Sequence, residues 1–491
     1  MNTRRPSPSY RNERGSVLIV ALLLAAIVAI CLTSYIQLST QATTMSYRSL
    51  YAGVAMNSAE SGLEQAMWSI NKKKAGSTTA WDGWDTTSGT TARRTFSLGT
   101  VDGGGTVTVK VLVSDRNLST TSPYAIARAI VTPVRGDTIE KWIKITLHQR
   151  SFFSNGLVAK KGITFSGNNP SVDSYNSANG IYTPSPSTVN RFPRGSAGST
   201  SVVTDSLYVG NADIFGPVSI GSSDYSALKV GSQGKVTSDF NAAGGTIDYS
   251  LVSTGFTASF DVYNYTPSTS TGLGTVKNTD LLLPVNLTDP TDTNSETGVV
   301  TYYYTASSIS NTNAKITVRP GYNVALIVSG SIDIGGSSGA IVVSSTNTNG
   351  VLLTSTLNIY AAGDVTIAGN GATNSLTTTT GTTTTTTVNR PQDLMIWGTS
   401  TTSQTIKVAG NGELSAVVYA PNAAIEAKGG GTSGSLYGAF VGNTVKMTGN
   451  DAFHYDESLK DLDLGEPLGI DKWDEFVSAA DRTTYASVMN F

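Results

Sequence analysis

The chain has 491 residues, too many for one ordinary domain and enough for about three, an elongated repeat counting as one. Charged residues make up only 14% and glycines number 50, a composition unlike that of a helical cytosolic enzyme. The 33 basic and 35 acidic side chains leave a net charge of -2, so no overall field draws nucleic acid, which is excluded as a partner.

Residues 1–15, MNTRRPSPSYRNERG, carry Arg4, Arg5, Arg11 and Arg14 against Glu13 alone. Every residue from Val17 to Leu32 is then apolar, and charge does not return until Arg48. The single cysteine, Cys31, sits inside this run as a small hydrophobe, which rules out internal disulfides and cysteine-built zinc sites. From Val17 to Ile36 a helix rising about 1.5 Å per residue crosses a hydrocarbon core of roughly 30 Å. The arginine excess holds the leading residues in the cytoplasm and sends the rest across. No small-residue cleavage site follows the run, so a plain signal anchor is one reading of it.

No proline occurs between Pro8 and Pro123, and Met56, Ala59, Leu63, Met67 and Ile70 recur at spacings of three and four. The span and this stripe predict one helix over 16–72, with Gly53 and Gly62 as soft points. Lys72, Lys73 and Lys74 suit its C-terminal dipole and Gly76 its stop.

The junction RNERG/SVLIVALLLAA is similar to a prepilin leader, a basic segment that a dedicated peptidase removes after a glycine. The resemblance implies cleavage between Gly15 and Ser16, with the apolar helix retained. Losing four Arg and one Glu lowers the net charge by three, from -2 to -5. The stretch YAGVAMNSAESGLEQAMWSI, with Ala59 and Glu60 followed by Gly62 and Leu63, resembles the N-terminal region of PilX-type minor pilins of type IV pili. Such pilins usually carry Glu at the fifth mature position, where it meets a neighbour's terminal amine; here that position is Val20. An apolar filament core penalises an amine without a carboxylate, so the departure points to a minor or tip subunit, or a pseudopilin-like initiator. The implied partners are other pilin subunits and prepilin peptidase. The implied location is the inner membrane before assembly and the cell surface afterwards.

Residues 92–150 change period. TFSLGTV, VTVKVLVSD, YAIARAIVTPV and EKWIKITLHQ alternate apolar with polar residues between glycine- and proline-bearing breaks, which predicts a four-stranded antiparallel sheet packed on the outer half of the helix. His148 falls on the last strand as a surface or half-buried imidazole, and with His454 the only other histidine there is no HExxH zinc motif.

Beyond Arg150 a repeat takes over. LVAKKGITFSGN, LIVSGSIDIGGS, IYAAGDVTIAGN, VYAPNAAIEAKGG and AFVGNTVKMTGN each join two short strands by a corner and end in a Gly-containing turn, with LYVGNADIFG a looser copy. Ile406, Ile425 and Val445 open equivalent strands, and Leu394, Leu414 and Leu436 open others, about twenty residues per coil. Strands this short bury their apolar rows only by stacking, so residues 151–460 predict a parallel β-helix, with a β-sandwich as the alternative. The fold class is thus mainly β behind a long membrane helix. Two insertions are expected, at 255–311 as a side layer and at 371–390 as an exposed loop around the ten threonines of 377–387, a site for glycosylation or surface contact if it has a function. The stretches VDSYNS, from Val172, and GSLYGAFVGNTVKMTGNDAFHYDESL are similar to the β-rich region that follows PilX-like N-termini, a region that brings no catalytic residues with it.

Candidate acids for β-helix carbohydrate chemistry, Asp205, Asp213, Asp224, Asp333 and Asp364, occupy different coil positions and form no visible acid–base or calcium cluster. His454, Asp456 and Glu457 are the densest ionisable group and read as a capping turn at the end of the solenoid. In 461–491, Trp473, Phe476, Val477 and Ala480 share a face of a helix with Asp471 as N-cap and Asp474 as its box partner, expected to cover the solenoid end or dock a partner. The resulting expectation is a structural minor or tip subunit of a type IV pilus or related secretion filament, displaying a β-helix for adhesion. It has no catalytic residue, cofactor or metal, and surface glycans are its candidate ligand. A membrane-anchored β-helix carbohydrate-active enzyme or glycan-binding protein is the alternative.

Overall fold

The computed structural model describes residues 14–491 apart from 75–76, 102–103, 119–122, 135, 150, 152, 168, 185–189, 263–265, 294–298, 369, 411–412, 430–434, 450–451 and 463–467. The chain forms two units, Met1–Gln149 with Gly465–Phe491, and Arg150–Leu464.

In the first unit a single helix, α1, runs from Arg14 to Lys74 and ends on Lys72, Lys73 and Lys74, which face the carbonyl end of its dipole. Strands β1 (Ala92–Thr100), β2 (Thr106–Val113), β3 (Tyr124–Thr132) and β4 (Ile139–Gln149) form an antiparallel meander. One sheet face, with Val107, Val109, Val111, Ala125, Ala127, Ala129, Ile143 and Ile145, is buried with Ala55, Ala59, Leu63, Ala66 and Ile70 of α1. Residues from Val17 to Leu50 of the same helix are exposed.

The C-terminal segment departs from expectation. Leu468–Glu475 is a fifth strand, antiparallel to β4, with Leu468 opposite Gln149 and Glu475 opposite Ile143. Asp471, expected to cap a helix, falls at a register shift inside this strand. The helix α2 begins later, at Ala479–Ala486, where Ser478 and Asp481 make a reciprocal capping box. Beyond it Met489 is buried with Leu112, Ile126, Trp142 and Phe476, so the tail covers the second face of the antiparallel sheet, where a cover for the solenoid end was expected. The strand forms because β4 offers a long row of ladder groups that need a partner, and pairing satisfies more backbone than a short isolated helix can.

The second unit is a parallel β-helix. Its strands pair in parallel from coil to coil, which excludes the antiparallel sandwich. One inward row shows the stacking order: Tyr304, Leu326, Ile359, Ile396, Val418, Phe440, Leu157, Ala197, Val218 and Val252 are successive register partners, all buried. The row steps from Phe440 to Leu157, so the first coil, with β5 (Leu157–Ser166) and β6 (Ser171–Tyr175), lies inside the stack on the last coil. The chain winds from there to one pole at Val252, returns to the other pole at Thr271, and coils back. Ten ladder steps of about 4.8 Å make on the order of 48 Å, within the roughly 63 Å that about 19 extended residues can reach. Along this connection Phe256 closes over Gly198, and the backbone carbonyl of Asp261 accepts the Tyr419 hydroxyl at 2.8 Å.

Ile406, Ile425 and Val445 are register partners, as their spacing predicts. Leu414 pairs with Leu436, but Leu394 pairs with Leu357, and Leu414 pairs back to Ala372, so Leu394 does not share that row. The expected side layer at 255–311 is in part coil, with Thr271–Lys277 and Leu281–Leu283 stacked on Val300–Asn311 and Lys315–Val318, and in part the small hairpin of Thr291–Thr293 with Val300–Tyr302. The 371–390 segment begins as coil, with Ala372 buried, and continues as a hairpin of Gly371–Thr380 with Thr383–Val388 in place of a loop.

Met489→Ala is expected to destabilise the antiparallel unit by about 2–4 kcal/mol. Hydrogen exchange should quicken in β3 and β4 and stay unchanged in β5.

Candidate functional site

The helix motif is a packing device. Ala59, Gly62 and Leu63 are buried against the sheet, and Glu60 on the opposite side is exposed. A Cβ on Gly62 would stand 2.8 Å from Val109 Cγ1 and 2.9 Å from Val111 Cγ2, so glycine here lets the helix approach the strands. Gly53 has nothing within 4 Å of such a Cβ. Val20 is exposed on the apolar half of α1. Of the expected leader, residues 1–13 lie outside the described residues, and Gly15 and Ser16 fall in the first turn of α1.

The densest ionic site joins the two stretches VDSYNS and FHYDESL. β6 pairs in parallel with Ala452–Asp456, which sets His454 opposite Asp173 and Asp456 opposite Tyr175. His454 Nδ1 lies 2.5 Å from Asp173 Oδ1, while Asp173 Oδ2 accepts from Arg191 Nε at 2.6 Å and from the Tyr182 hydroxyl at 2.9 Å. A carboxylate already facing a guanidinium is an acceptor, which assigns the proton to Nδ1. The His454 ring lies against Tyr182, centroids 3.8 Å apart, and beside Tyr437 at 4.9 Å. Burial and the Asp173 charge push the Tyr182 hydroxyl well up, so it stays a donor.

Next to this pair, Glu457 accepts from Ser174 Oγ at 2.7 Å and from Arg194 at 2.8 Å. Asp456 Oδ1 accepts the backbone N–H groups of Ser177 at 2.9 Å and Ser458 at 3.1 Å, and its Oδ2 is buried without a hydrogen bond. Burial raises the Asp456 carboxyl above its usual value, against the lowering effect of Ser177 and Ser458. Five of these contacts, Asp173 and Tyr182 with His454, Ser174 and Arg194 with Glu457, and Ser177 with Asp456, tie the first coil to the last. The cluster therefore sits within the stack at the junction of the chain's two arms, and the expectation of a cap at a solenoid end is corrected.

Asp173, Arg191 and Arg194 carry the junction with His454 and Glu457 but were not singled out from sequence. Their signal was an RFPR run and an acid inside VDSYNS in a charge-poor chain, and only stacking pairs them. Among the described residues no serine or threonine hydroxyl hydrogen-bonds His454, whose ring is held by Asp173 as an acid–imidazole clamp. The other acids serve locally: Asp205 pairs with Lys229 and Asp213 with Lys235, Asp224 caps a turn, and Asp364 accepts the Thr405 N–H. Asp333 lies exposed on Ile332–Ile334. They make no aligned row.

Residues 270–462 match the family described as Domain of unknown function (DUF7305). That range starts at the pole strand Thr271–Lys277 and ends after the clamp. No curated protein matches the chain. Among solved structures it is similar to the competence-associated pilin ComZ from Thermus thermophilus, at 11% identity and a TM-score of 0.22, covering 86% of this chain and 97% of that one.

Gly62→Val is expected to destabilise the first unit by about 1–3 kcal/mol through overpacking, whereas Gly53→Ala stabilises the helix by about 0.5–1 kcal/mol; urea unfolding of both variants checks this. For Asp456 the raised carboxyl means that the folded state holds the proton more tightly than the unfolded chain. Stability is thus lost as pH rises from the usual 3.8 towards the folded value, and the full penalty persists above it. Asp456→Asn keeps an acceptor for both N–H groups and should equal or exceed the wild type in stability at pH 7, with the difference vanishing below 3.8. Asp456→Ala should lose about 1–3 kcal/mol at every pH.

Proposed function

We propose that the protein is a non-enzymatic minor or tip subunit of a type IV pilus or related secretion filament. It is held in the inner membrane by α1 before assembly, and afterwards carries the β-helix at the cell surface for adhesion. The observation that supports this best is the division of α1. One unbroken helix has an exposed apolar half at Val17–Leu38, long enough to span a membrane, and a second half buried on an antiparallel sheet through Gly62. A membrane anchor alone does not need its helix to continue into a folded head, whereas a lattice subunit does, because the same rod must join neighbouring subunits and carry the head.

The basic segment ending at Gly15 supports processing by a prepilin peptidase, with Ser16 as the mature N-terminus. Val20 supports a position with few demands on charge pairing in the helical core, such as the tip. In the acid–imidazole clamp both oxygens of Asp173 and both of Glu457 are taken up by neighbouring side chains, which supports a structural over a catalytic use of the solenoid's densest ionic cluster.

Mass spectrometry of the protein from its native membrane should find Ser16 as the first residue, and Gly15→Leu should retain residues 1–15. Sheared filaments should contain the wild-type chain far below the level of the major subunit and lack the Gly15→Leu variant. A native chain beginning at Met1, or one present along whole filaments at major-subunit abundance, overturns the reading.

A further inference from the structure

Two successive coils extend long arms from the same corner. Ala340–Thr348 runs out and returns as Val351–Leu353, with Thr346 opposite Leu353. One coil on, Gly371–Thr380 runs out, turns at Gly381 and returns as Thr383–Val388, with Thr380 opposite Thr383. The outgoing strands pair in parallel as far as Thr348 and Thr379, so the arms merge into one four-stranded tab. Among the described residues, Thr383–Val388 pairs with Gly371–Thr380 alone and is an edge of that tab.

The Asn389 N–H donates to the Asn374 carbonyl at 3.0 Å, which fixes the phase of the hairpin ladder. Thr383, Thr385 and Thr387 therefore bond inward, and Thr384, Thr386 and Val388 turn both N–H and C=O away from the hairpin. Protein edges are ordinarily blunted by charge, proline or a bulge. The run TTTTTV has none of these, and cross-strand hydroxyl pairs at 3.2 Å, Thr379 with Thr384 and Thr377 with Thr386, stiffen it. The edge also has a facing wall. Thr385, Thr386 and Thr387 line one side of a groove of about 540 Å³, with Asn179, Ile181 and Phe192 across from them and, among the described residues, no charged side chain in the lining. Asn190 Nδ2 braces that second wall by donating to the carbonyls of Asn176, Gly180 and Ile181, each at 3.0 Å.

We propose that this groove is a strand-addition site for an uncharged, extended peptide segment, which completes its ladder on the outward N–H and C=O groups of Thr384 and Thr386. The unpaired main chain calls for another main chain, and the uncharged lining favours a neutral one. The volume lies within the roughly 300–1,000 Å³ of ordinary ligand clefts. The site does not depend on filament assembly.

The test uses the full chain in detergent micelles and a fluorescein-labelled, C-amidated TVTVT peptide as probe. Saturable binding below about 1 mM is expected, with hydrogen exchange slowed at Thr384 and Thr386. Thr386→Pro removes one outward donor and leaves the inward ladder whole, so it should weaken binding about tenfold, while Thr386→Val, which keeps the backbone, should stay within about threefold. If the proline variant fails to fold, a probe N-methylated at alternate residues should show the same loss on the wild type. The proposal is overturned by an absence of saturable binding, by equal losses for the proline and valine variants, by an N-methylated probe that binds undiminished, or by a neutral oligosaccharide that occupies the groove where the peptide does not.

Discussion

The architecture depends on one constraint: the β-helix must begin and end at the same place. It is inserted between β4 and the strand Leu468–Glu475, and in that pair Gln149 stands opposite Leu468. Opposed residues of an antiparallel pair lie about 5 Å apart. A solenoid wound from one pole to the other would separate its ends by its whole length. The chain avoids this by starting mid-stack, building one arm to Val252, crossing back along the side, and returning coil by coil until Phe440 reaches Leu157. The apolar row continues through that junction without a break, so the core reads as one stack although the chain is cut and rejoined within it.

That junction is also where the unit concentrates its buried charge. Elsewhere in the stack, neighbouring coils follow one another along the chain, and apolar rows with neutral contacts such as Asn374 to Ser415 lie between them. Between β6 and Ala452–Asp456 the partners are about 280 residues apart in sequence, and one apolar row is much like another as a docking surface. Buried ion pairs add little net stability, but breaking one partner from the other is costly. Asp173 against His454 and Arg191, and Glu457 against Arg194, therefore penalise any stacking of the arms that leaves these groups unpaired. The polar contacts select the register, and the apolar row supplies the burial.

Local periodicity carried much of the fold. The helix expected over 16–72 occupies Arg14–Lys74, because a proline-free stretch with an apolar stripe leaves few alternatives. The four strands of 92–150 follow from alternation in the same way. The Ile406, Ile425 and Val445 row was legible because these coils have no insertions. Leu394 was misplaced because the arm hairpin before it and the loop after it change the local coil length. What could not be read was anything decided by a distant partner: the strand at Leu468–Glu475, whose sequence also fits a short amphipathic helix, the permuted stacking order, and the pairing of VDSYNS with FHYDESL. The clamp was half visible, as acids and a histidine without their counter-charges.

The permutation also bears on the match to residues 270–462. That range is one arm of the stack, from the pole at Thr271 to the clamp. Its last coil presents Phe440, His454, Asp456 and Glu457 to β5, β6 and the residues up to Arg194, all of which lie outside the match. Without them, an apolar row would end at an open ladder, and the Asp456 and Glu457 carboxyls would lose Ser177, Ser174 and Arg194. The matched arm therefore leaves its last coil's partners outside the match. In this chain those partners come from the residues that precede the match, so one apolar row and one ionic cluster are shared between the matched and unmatched arms.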